Sequence, residues 1–238
     1  MQDPRPLGAG VTDWTPPAVP TGDVLEGEYA RLEPLQADIH AALLFPTYQV
    51  SDSVWDYLPY GPFHSAAAYH RWMKNITGRA DPIFYAIQDK DTGAWGGVAS
   101  FLRINHGSGS IEVGHINLSP QLQGTRAATE AMVLMMRHAF SLGYRRYEWK
   151  CDALNRPSRR AAQRLGMSFE GVHRQHTVVK QRNRDTAWFS VIDSEWPALS
   201  EAFDVWLNPT NFDQDGRQKE SLSDLTRLVR ATDDPDLG

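Results

Sequence analysis

The sequence predicts an α/β (α+β) protein, a mixed and mostly antiparallel central sheet of about seven strands flanked by helices. Three observations predict it. The first half carries apolar and polar residues alternating at a period of two, between turn residues. After Ser119-Pro120 the hydrophobic period lengthens to that of a helix. A strand, helix, strand, helix run then follows the meander, which implies a mixed sheet covered by helices.

Residues 1–22, with Pro16-Pro17 and Pro20, cannot hold a regular element and are expected as an extended arm against the domain or a neighbour. A half-buried strand fits 29–35, ended by Pro34. A helix over 38–48 groups Ile39, Leu43 and Leu44 on one face. The stretch 54–63 is aromatic but broken by Pro59, Gly61 and Pro62, so it reads as a structured loop before a helix over 65–77. Strands follow over 83–88, 95–104 and 110–118, separated by Asp91-Thr92-Gly93 and Gly107-Ser108-Gly109.

Ala128, Ala131, Met132, Met135, Ala139 and Leu142 then recur at helical spacing, with Arg126, Glu130, Arg137 and Ser141 as the polar stripe and Gly143 as the stop. A strand over 147–151 and a short helix over 157–165, stopped by Gly166, come next. Strands over 168–180 and 186–193 form a closing hairpin turned by 181–184. From Asn208 the chain is polar, a mobile tail with one weak helix near 222–229.

The 238 residues allow one large domain with extensions, divided as an arm over 1–22, a domain over 23–207 and a tail over 208–238. A formal net charge of −5 gives no overall positive field for nucleic acid or a membrane surface. No stretch approaches the roughly 20 apolar residues that cross a bilayer. The N-terminus lacks an apolar run after a basic start, so no secretory leader is expected there and the cytoplasm is the expected compartment. Cys151 is the single cysteine, which excludes an internal disulfide. No metal-ligand spacing is present, so no metal is expected. The closing hairpin and the arm leave a homodimer open as an alternative to a monomer.

The chemistry is concentrated where Ile111-Glu112-Val113-Gly114-His115-Ile116-Asn117-Leu118 runs through Gln121-Leu122-Gln123-Gly124-Thr125-Arg126 into the long helix. A strand feeding a glycine-bearing turn that opens a helix presents free backbone N–H groups at the positive helix end, which suits a pyrophosphate. Gly124, Ala127 and Ala128 are small enough for close approach of a ligand. An ordinary strand-to-helix connection explains the same residues.

The stretch resembles motif A of the GNAT acyltransferases, whose phosphate loop reads Gln or Arg, two residues, Gly, one residue, then Gly or Ala. Gln121 and Gly124 match, and Arg126 stands where Gly or Ala is usual. Ala128-Thr129-Glu130-Ala131 resembles the helix start of the ribosomal-protein (Rim-type) branch. Asn155-Arg156-Pro157-Ser158, followed by Leu165-Gly166-Met167, resembles motif B.

The resemblance spans about 29–196. It implies an acyltransferase domain over 23–207 that carries an acetyl or another short acyl group, succinyl included, from acyl-CoA to an amine. The amine belongs to a small molecule or a protein N-terminus. Ile116, Asn117, Leu118, Gln123, Gly124, Thr125, Arg126, Ala127, Ala128 and Asn155 are its implied cofactor contacts. Many relatives place a tyrosine seven residues after the Asn as the proton donor to the thiolate; Ala162 stands there, so the resemblance favours the Ser158 hydroxyl. Caps of a short helix explain Asn155 and Ser158 equally.

Direct attack by an amine needs a proton acceptor, because a free amine near pKa 10 is mostly protonated at neutral pH. Glu112 is the first candidate and His115 the second, with Asp152 in reserve as base or substrate ligand; a salt-bridged strand glutamate is the plain alternative for Glu112. Strand alternation sets His115 opposite Glu112 unless a bulge intervenes. Trp55, Tyr57, Tyr60 and Phe63 are candidates for the acceptor wall, or for packing. Arg145, Arg146, Arg156, Arg159 and Arg160 either flank the adenosine phosphate or form a solvated face. His115, Arg103 and His176 are the cations available to an anionic acyl group. A non-catalytic CoA-binding or sensory module with the same fold is the competing reading.

Overall fold

The computed structural model describes residues 5–237. Eight strands form one sheet: β1 (Leu25–Glu26), β2 (Ala30–Pro34), β3 (Ile83–Asp89), β4 (Trp95–Asn105), β5 (Ser110–Leu118), β6 (Arg146–Asp152), β7 (Ser168–Val179) and β8 (Arg182–Ile192). Their spatial order is β1-β2-β3-β4-β5-β6-β8-β7. Every neighbouring pair is antiparallel except β5 and β6. The strand beyond the expected set is β1, two residues long and too short to leave a period in the sequence.

Alternation along the central strands divides the core. Phe84, Ala86 and Val98 point to one face, where they meet Leu44 and Tyr48 of α1 (Ala37–Tyr48) and Tyr69 and Met73 of α2 (Ala66–Ile76). Tyr85, Ile87 and Ala99 point to the other, against Ala131, Met135 and Ala139 of α3 (Arg126–Ser141). The long helix follows β5 and returns the chain to β6, the connection that makes this one pair parallel.

Two helix faces differ from their sequence reading. In α1 the buried residues are Ala37, His40, Ala41, Leu44 and Tyr48, while Ile39 and Leu43 are exposed, so of the three expected apolar positions only Leu44 faces the sheet. In α3 Glu130, expected on the polar stripe, is buried. Its carboxylate accepts hydrogen bonds from the backbone N–H groups of Glu28 (2.9 Å), Tyr29 (2.6 Å) and Ala30 (2.6 Å), which clamp the start of β2 to the helix. Gly27 leaves room for this clamp, since a Cβ there would collide with the carboxylate.

The hairpin turn is Lys180-Gln181, closed by Val179 pairing with Arg182, and not 181–184. Both turn residues have positive φ, 48° and 62°, the geometry whose twist matches a two-residue hairpin. A helix that sequence reading did not mark, α5 (Trp196–Leu207), follows and buries Leu199, Ala202, Phe203 and Trp206 at helical spacing.

The stretch from Asn208 packs on the domain, although its polarity suggested a mobile tail. A short helix, α6 (Leu222–Arg227), buries Leu222 and Thr226. Asp234 is buried against Arg159 of α4 (Arg156–Arg164), 2.6 Å from its Nε. Polar residues here are internal partners, which composition alone reads as solvent-facing. The arm also lies on the domain: Pro17 O is 3.1 Å from His106 Nδ1, and Ala18 N–H donates to Leu142 O. No helix among the described residues is long and apolar enough to cross a membrane.

Candidate active site

The site originates in a fault between two strands. β5 and β6 pair only from Ser110–Arg146 to Val113–Trp149. Beyond that point 114–118 has no partner on the β6 side. On its other side the register with β4 jumps from Val98–Asn117 to Ser100–Gly114, and His115 takes φ 51°. This bulge bends β5 away from β6 and breaks the alternation that would set His115 opposite Glu112. Between the strands lies a cleft of about 1410 Å³, walled by the N-terminal turn of α3, both strands, the start of α4 and the β7–β8 hairpin.

At the α3 end the ligand-facing groups are backbone. Thr125 caps the helix, its Oγ1 accepting from Ala128 N–H at 3.0 Å and donating to Leu122 O at 2.8 Å. The N–H groups of Gly124, Arg126 and Ala127 have no hydrogen-bond partner among the described residues. Gly124 has φ 74°, and a Cβ on it would meet nothing within 4 Å, so the turn is open above it. Free donors, a helix N-terminus and open space meet the requirements of a phosphate group. Gln123 lines this end and holds the turn through a 2.9 Å bond from its side-chain amide to Leu118 O.

Arg126 does not crowd the cradle. Its guanidinium reaches Asp91 at 3.2 Å and lies over the rings of Tyr29 (4.6 Å) and Phe212 (4.8 Å). Phe212 and Gln218 bring the segment after Asn208 into the cleft wall beside Trp206 of α5, a contribution that reading the segment as a tail missed. Of the basic group, only Arg160 lines the cleft. Arg146 is bound to Glu148 and Glu170, Arg159 to Asp234, and Arg156 to the Asp236 carbonyl.

In the middle, Ile116, Asn117 and Leu118 line the cleft. Tyr48 donates to Asn117 O at 3.0 Å, and the buried Asn117 side-chain amide nitrogen has no partner. Asn155 caps α4, its Oδ1 accepting from Ser158 N–H at 3.2 Å. Ser158 Oγ accepts from Trp149 Nε1 at 3.0 Å, so its own proton is available for donation, with the Cys151 sulfur within its reach. Trp149 supports this site without any sequence signal. Cys151 beside it is buried, which pushes its thiol up to about 11 and makes it a poor nucleophile.

At the far end the groups are side chains. Glu112 is 3% exposed, with Oε1 2.7 Å from Arg103 Nη1 and Oε2 2.9 Å from Lys150 Nζ. Lys150 also reaches Glu148 at 2.8 Å and lies 3.7 Å from the Trp188 ring centre. The register makes this trio necessary: Glu112 and Glu148 are direct neighbours across β5 and β6, and like charges there require a cation. Glu148 and Lys150 alternate on one face of β6, the pattern that could have disclosed them.

His115 Nδ1 is 3.1 Å from Tyr60 Oη, and its ring packs on Tyr60 and Phe84. Burial first, then the charges of Arg103 and Arg184, lower its pKa to about 4, so it is neutral at pH 7. Asp152 lines the cleft with Oδ1 accepting from Leu154 N–H at 2.9 Å, while Oδ2 has no partner among the described residues.

The aromatic loop divides. Tyr57 lines the cleft, and its hydroxyl donates to Leu154 O at 3.3 Å, across to the loop before α4. Tyr60 acts behind His115. Trp55 and Phe63 do not line the cleft: Trp55 is 2% exposed and packs edge-on against Tyr48 and Phe63 in the core beneath α1 and α2.

Comparison with known proteins gives the arrangement its context. No curated protein matches the chain. The family model described as "Acetyltransferase (GNAT) domain" matches residues 30–168. A GCN5-related N-acetyltransferase from Brucella melitensis is 46% identical over 92% of this chain and 100% of its own, with a TM-score of 0.89. A probable acetyltransferase of the GNAT family from Chromobacterium violaceum ATCC 12472 is 40% identical over 83% of this chain and 100% of its own, with a TM-score of 0.77. The ribosomal L7/L12 α-N-protein acetyltransferase RimL, 19% identical over 71% of this chain and 94% of its own with a TM-score of 0.62, shares the fold. By its matched domain and its relatives, the chain belongs to the GNAT acetyltransferase family, whose common chemistry is acyl transfer.

Proposed function

We propose that the protein is an N-acyltransferase that moves an acetyl group from acetyl-CoA to a primary amine by direct attack, with both substrates bound. The observation that carries this reading is one cleft with unpartnered backbone donors at one end and the Ser158 hydroxyl, positioned by Trp149, in the middle. The N–H groups of Gly124, Arg126 and Ala127 hold the pyrophosphate, and the open edge of β5 with Asn117 and Asn155 holds the pantetheine arm. The bound thioester supplies the activated acyl carbon.

The amine nitrogen bonds to that carbon as the C–S bond breaks, and Ser158 donates its proton to the departing sulfur. The amine proton leaves in the opposite direction. Asp152, which lines the cleft and is held through Oδ1, is assigned to receive it, directly or through one water, and that proton then returns through water to Ser158, which restores both side chains. Glu112, with each oxygen against a cation, holds Arg103 and Lys150 in the wall. His115, neutral and fixed by Tyr60, orients the amine by hydrogen bonding.

The test is an amine panel with acetyl-CoA, read by thiol release, on wild type and Ser158→Ala. The expected result is turnover of at least one amine and a loss of about 10- to 100-fold in kcat in the variant, with acetyl-CoA affinity unchanged by calorimetry. Equal turnover in both proteins removes Ser158 as the donor. Tight acetyl-CoA binding without turnover of any amine favours the non-catalytic module.

A further inference from the structure

The cleft end farthest from α3 holds a cation that no acid among the described residues engages. Arg184, on β8, is half-buried in the wall and has no hydrogen-bond or ion-pair partner among the described residues. Its Nε is sealed from solvent and orphaned, and a buried donor in that state is costly unless a ligand acceptor meets it.

The neighbouring acids do not supply an acceptor. Asp185 Oδ1 accepts from Gln175 N–H and Asn183 Nδ2. Glu112 lies between Arg103 and Lys150, and Lys150 is shared with Glu148. Asp81 accepts from the backbone N–H groups of Arg103 and Ile104. Asp152 lines the same cleft from the end of β6 but forms no ion pair with Arg184 among the described residues; its Oδ1 accepts from Leu154 N–H.

Arg103 adds a second cation. It sits at a bulge in β4 with φ 48°, and only its Nη1 is engaged by Glu112 while the side chain is 58% exposed. His176 lines the wall beside them, its Nδ1 2.9 Å from Thr186 Oγ1. Arg103 and Arg184 both line this cleft with His115, whose charged form both guanidiniums disfavour.

We propose that Arg184, with Arg103, forms a carboxylate-binding subsite at the acceptor end of the cleft, so that one of the two substrates carries a carboxylate. A guanidinium with two free edges matches a carboxylate in a way that an ammonium does not. The carboxylate belongs either to the amine acceptor, as in an amino acid, or to the acyl group, as in succinyl-CoA. This inference rests on the acyl-transfer reading and specifies its substrate.

The experiment has two arms, each on wild type, Arg184→Gln and Arg184→Lys. The acceptor arm compares leucine with leucinamide and β-alanine with β-alaninamide, using acetyl-CoA. The donor arm compares succinyl-CoA with acetyl-CoA by calorimetry. Calorimetry with acetyl-CoA on all three proteins checks that the site is folded.

The expected result is a preference of at least tenfold for the carboxylate-bearing member in one arm. That ratio falls at least tenfold in Arg184→Gln and is partly kept in Arg184→Lys. The arm that responds names the substrate carrying the charge. Normal acetyl-CoA binding with no preference in either arm, or with a preference that Arg184→Gln leaves unchanged, overturns the subsite and leaves the acyl-transfer reading standing. Absence of acetyl-CoA binding by wild type overturns both.

Discussion

The two ends of the cleft are built from different materials. At the α3 end the groups that face a ligand are the backbone N–H donors of Gly124, Arg126 and Ala127, set by one turn and one cap. At the other end they are side chains from five strands, with Arg103, Glu112, Lys150, His176 and Arg184 brought together by the sheet. A backbone site needs small residues in a short run, and such a run leaves a motif. A side-chain site needs only that separate strands lie in register, and it leaves none. The first kind suits a ligand part shared by many enzymes, and the second suits the part that differs.

This contrast has energetic consequences, because the side-chain end is also part of the fold. The largest expected effect is from Lys150→Met, which leaves Glu112 and Glu148 side by side with one cation fewer. Breaking such a buried cluster by removing one partner costs about 3–5 kcal/mol. Urea unfolding should read that loss directly. A variant as stable as wild type would mean that the cluster is solvated and that the two ends differ less than argued.

A smaller effect sharpens the same comparison through pH. The folded state holds His115 near pKa 4, below the ordinary 6.5, so the unfolded chain binds more protons between those values. Stability from this residue is therefore complete above about pH 6.5 and is lost as pH falls toward 4. Between pH 8 and pH 5 the loss is about 2 kcal/mol. His115→Phe should be less acid-sensitive than wild type by that amount, measured from urea midpoints at the two pH values. Parallel pH profiles would show that the ring is not held neutral.

Legibility in the sequence followed the same division. The sheet, the strand-to-helix turn and the cap residue Asn155 were readable because each rests on local spacing, while the Thr125 cap was not read and Ser158 donates its N–H to the cap instead of being one. Tyr57 was readable as a wall residue, but Trp55 and Phe63 in the same loop were not separable from it, since burial depends on α1 and α2 packing over them. Glu130 read as solvent-facing because its partners, the N–H groups of Glu28, Tyr29 and Ala30, lie about a hundred residues earlier. Asp234 was hidden likewise, a tail residue whose partner is Arg159 in α4. Lys150 and Arg184 gain their meaning only from register: Lys150 from the Glu112–Glu148 pairing, and Arg184 from the position of β8 across the cleft.

The proposed function depends most on the α3 turn serving as a backbone cradle for the phosphates of CoA. Its most direct test is a calorimetric titration of CoA and of pantetheine, which lacks the phosphates, into wild type and Gly124→Val. A β-branched side chain on a residue at φ 74° is strained, and it places methyl groups in the open space above the turn. Wild type should bind CoA far more tightly than pantetheine. Gly124→Val should lose about 100-fold in CoA affinity, some 2.7 kcal/mol, with little change toward pantetheine. Equal CoA binding by the two proteins would contradict that role of the turn.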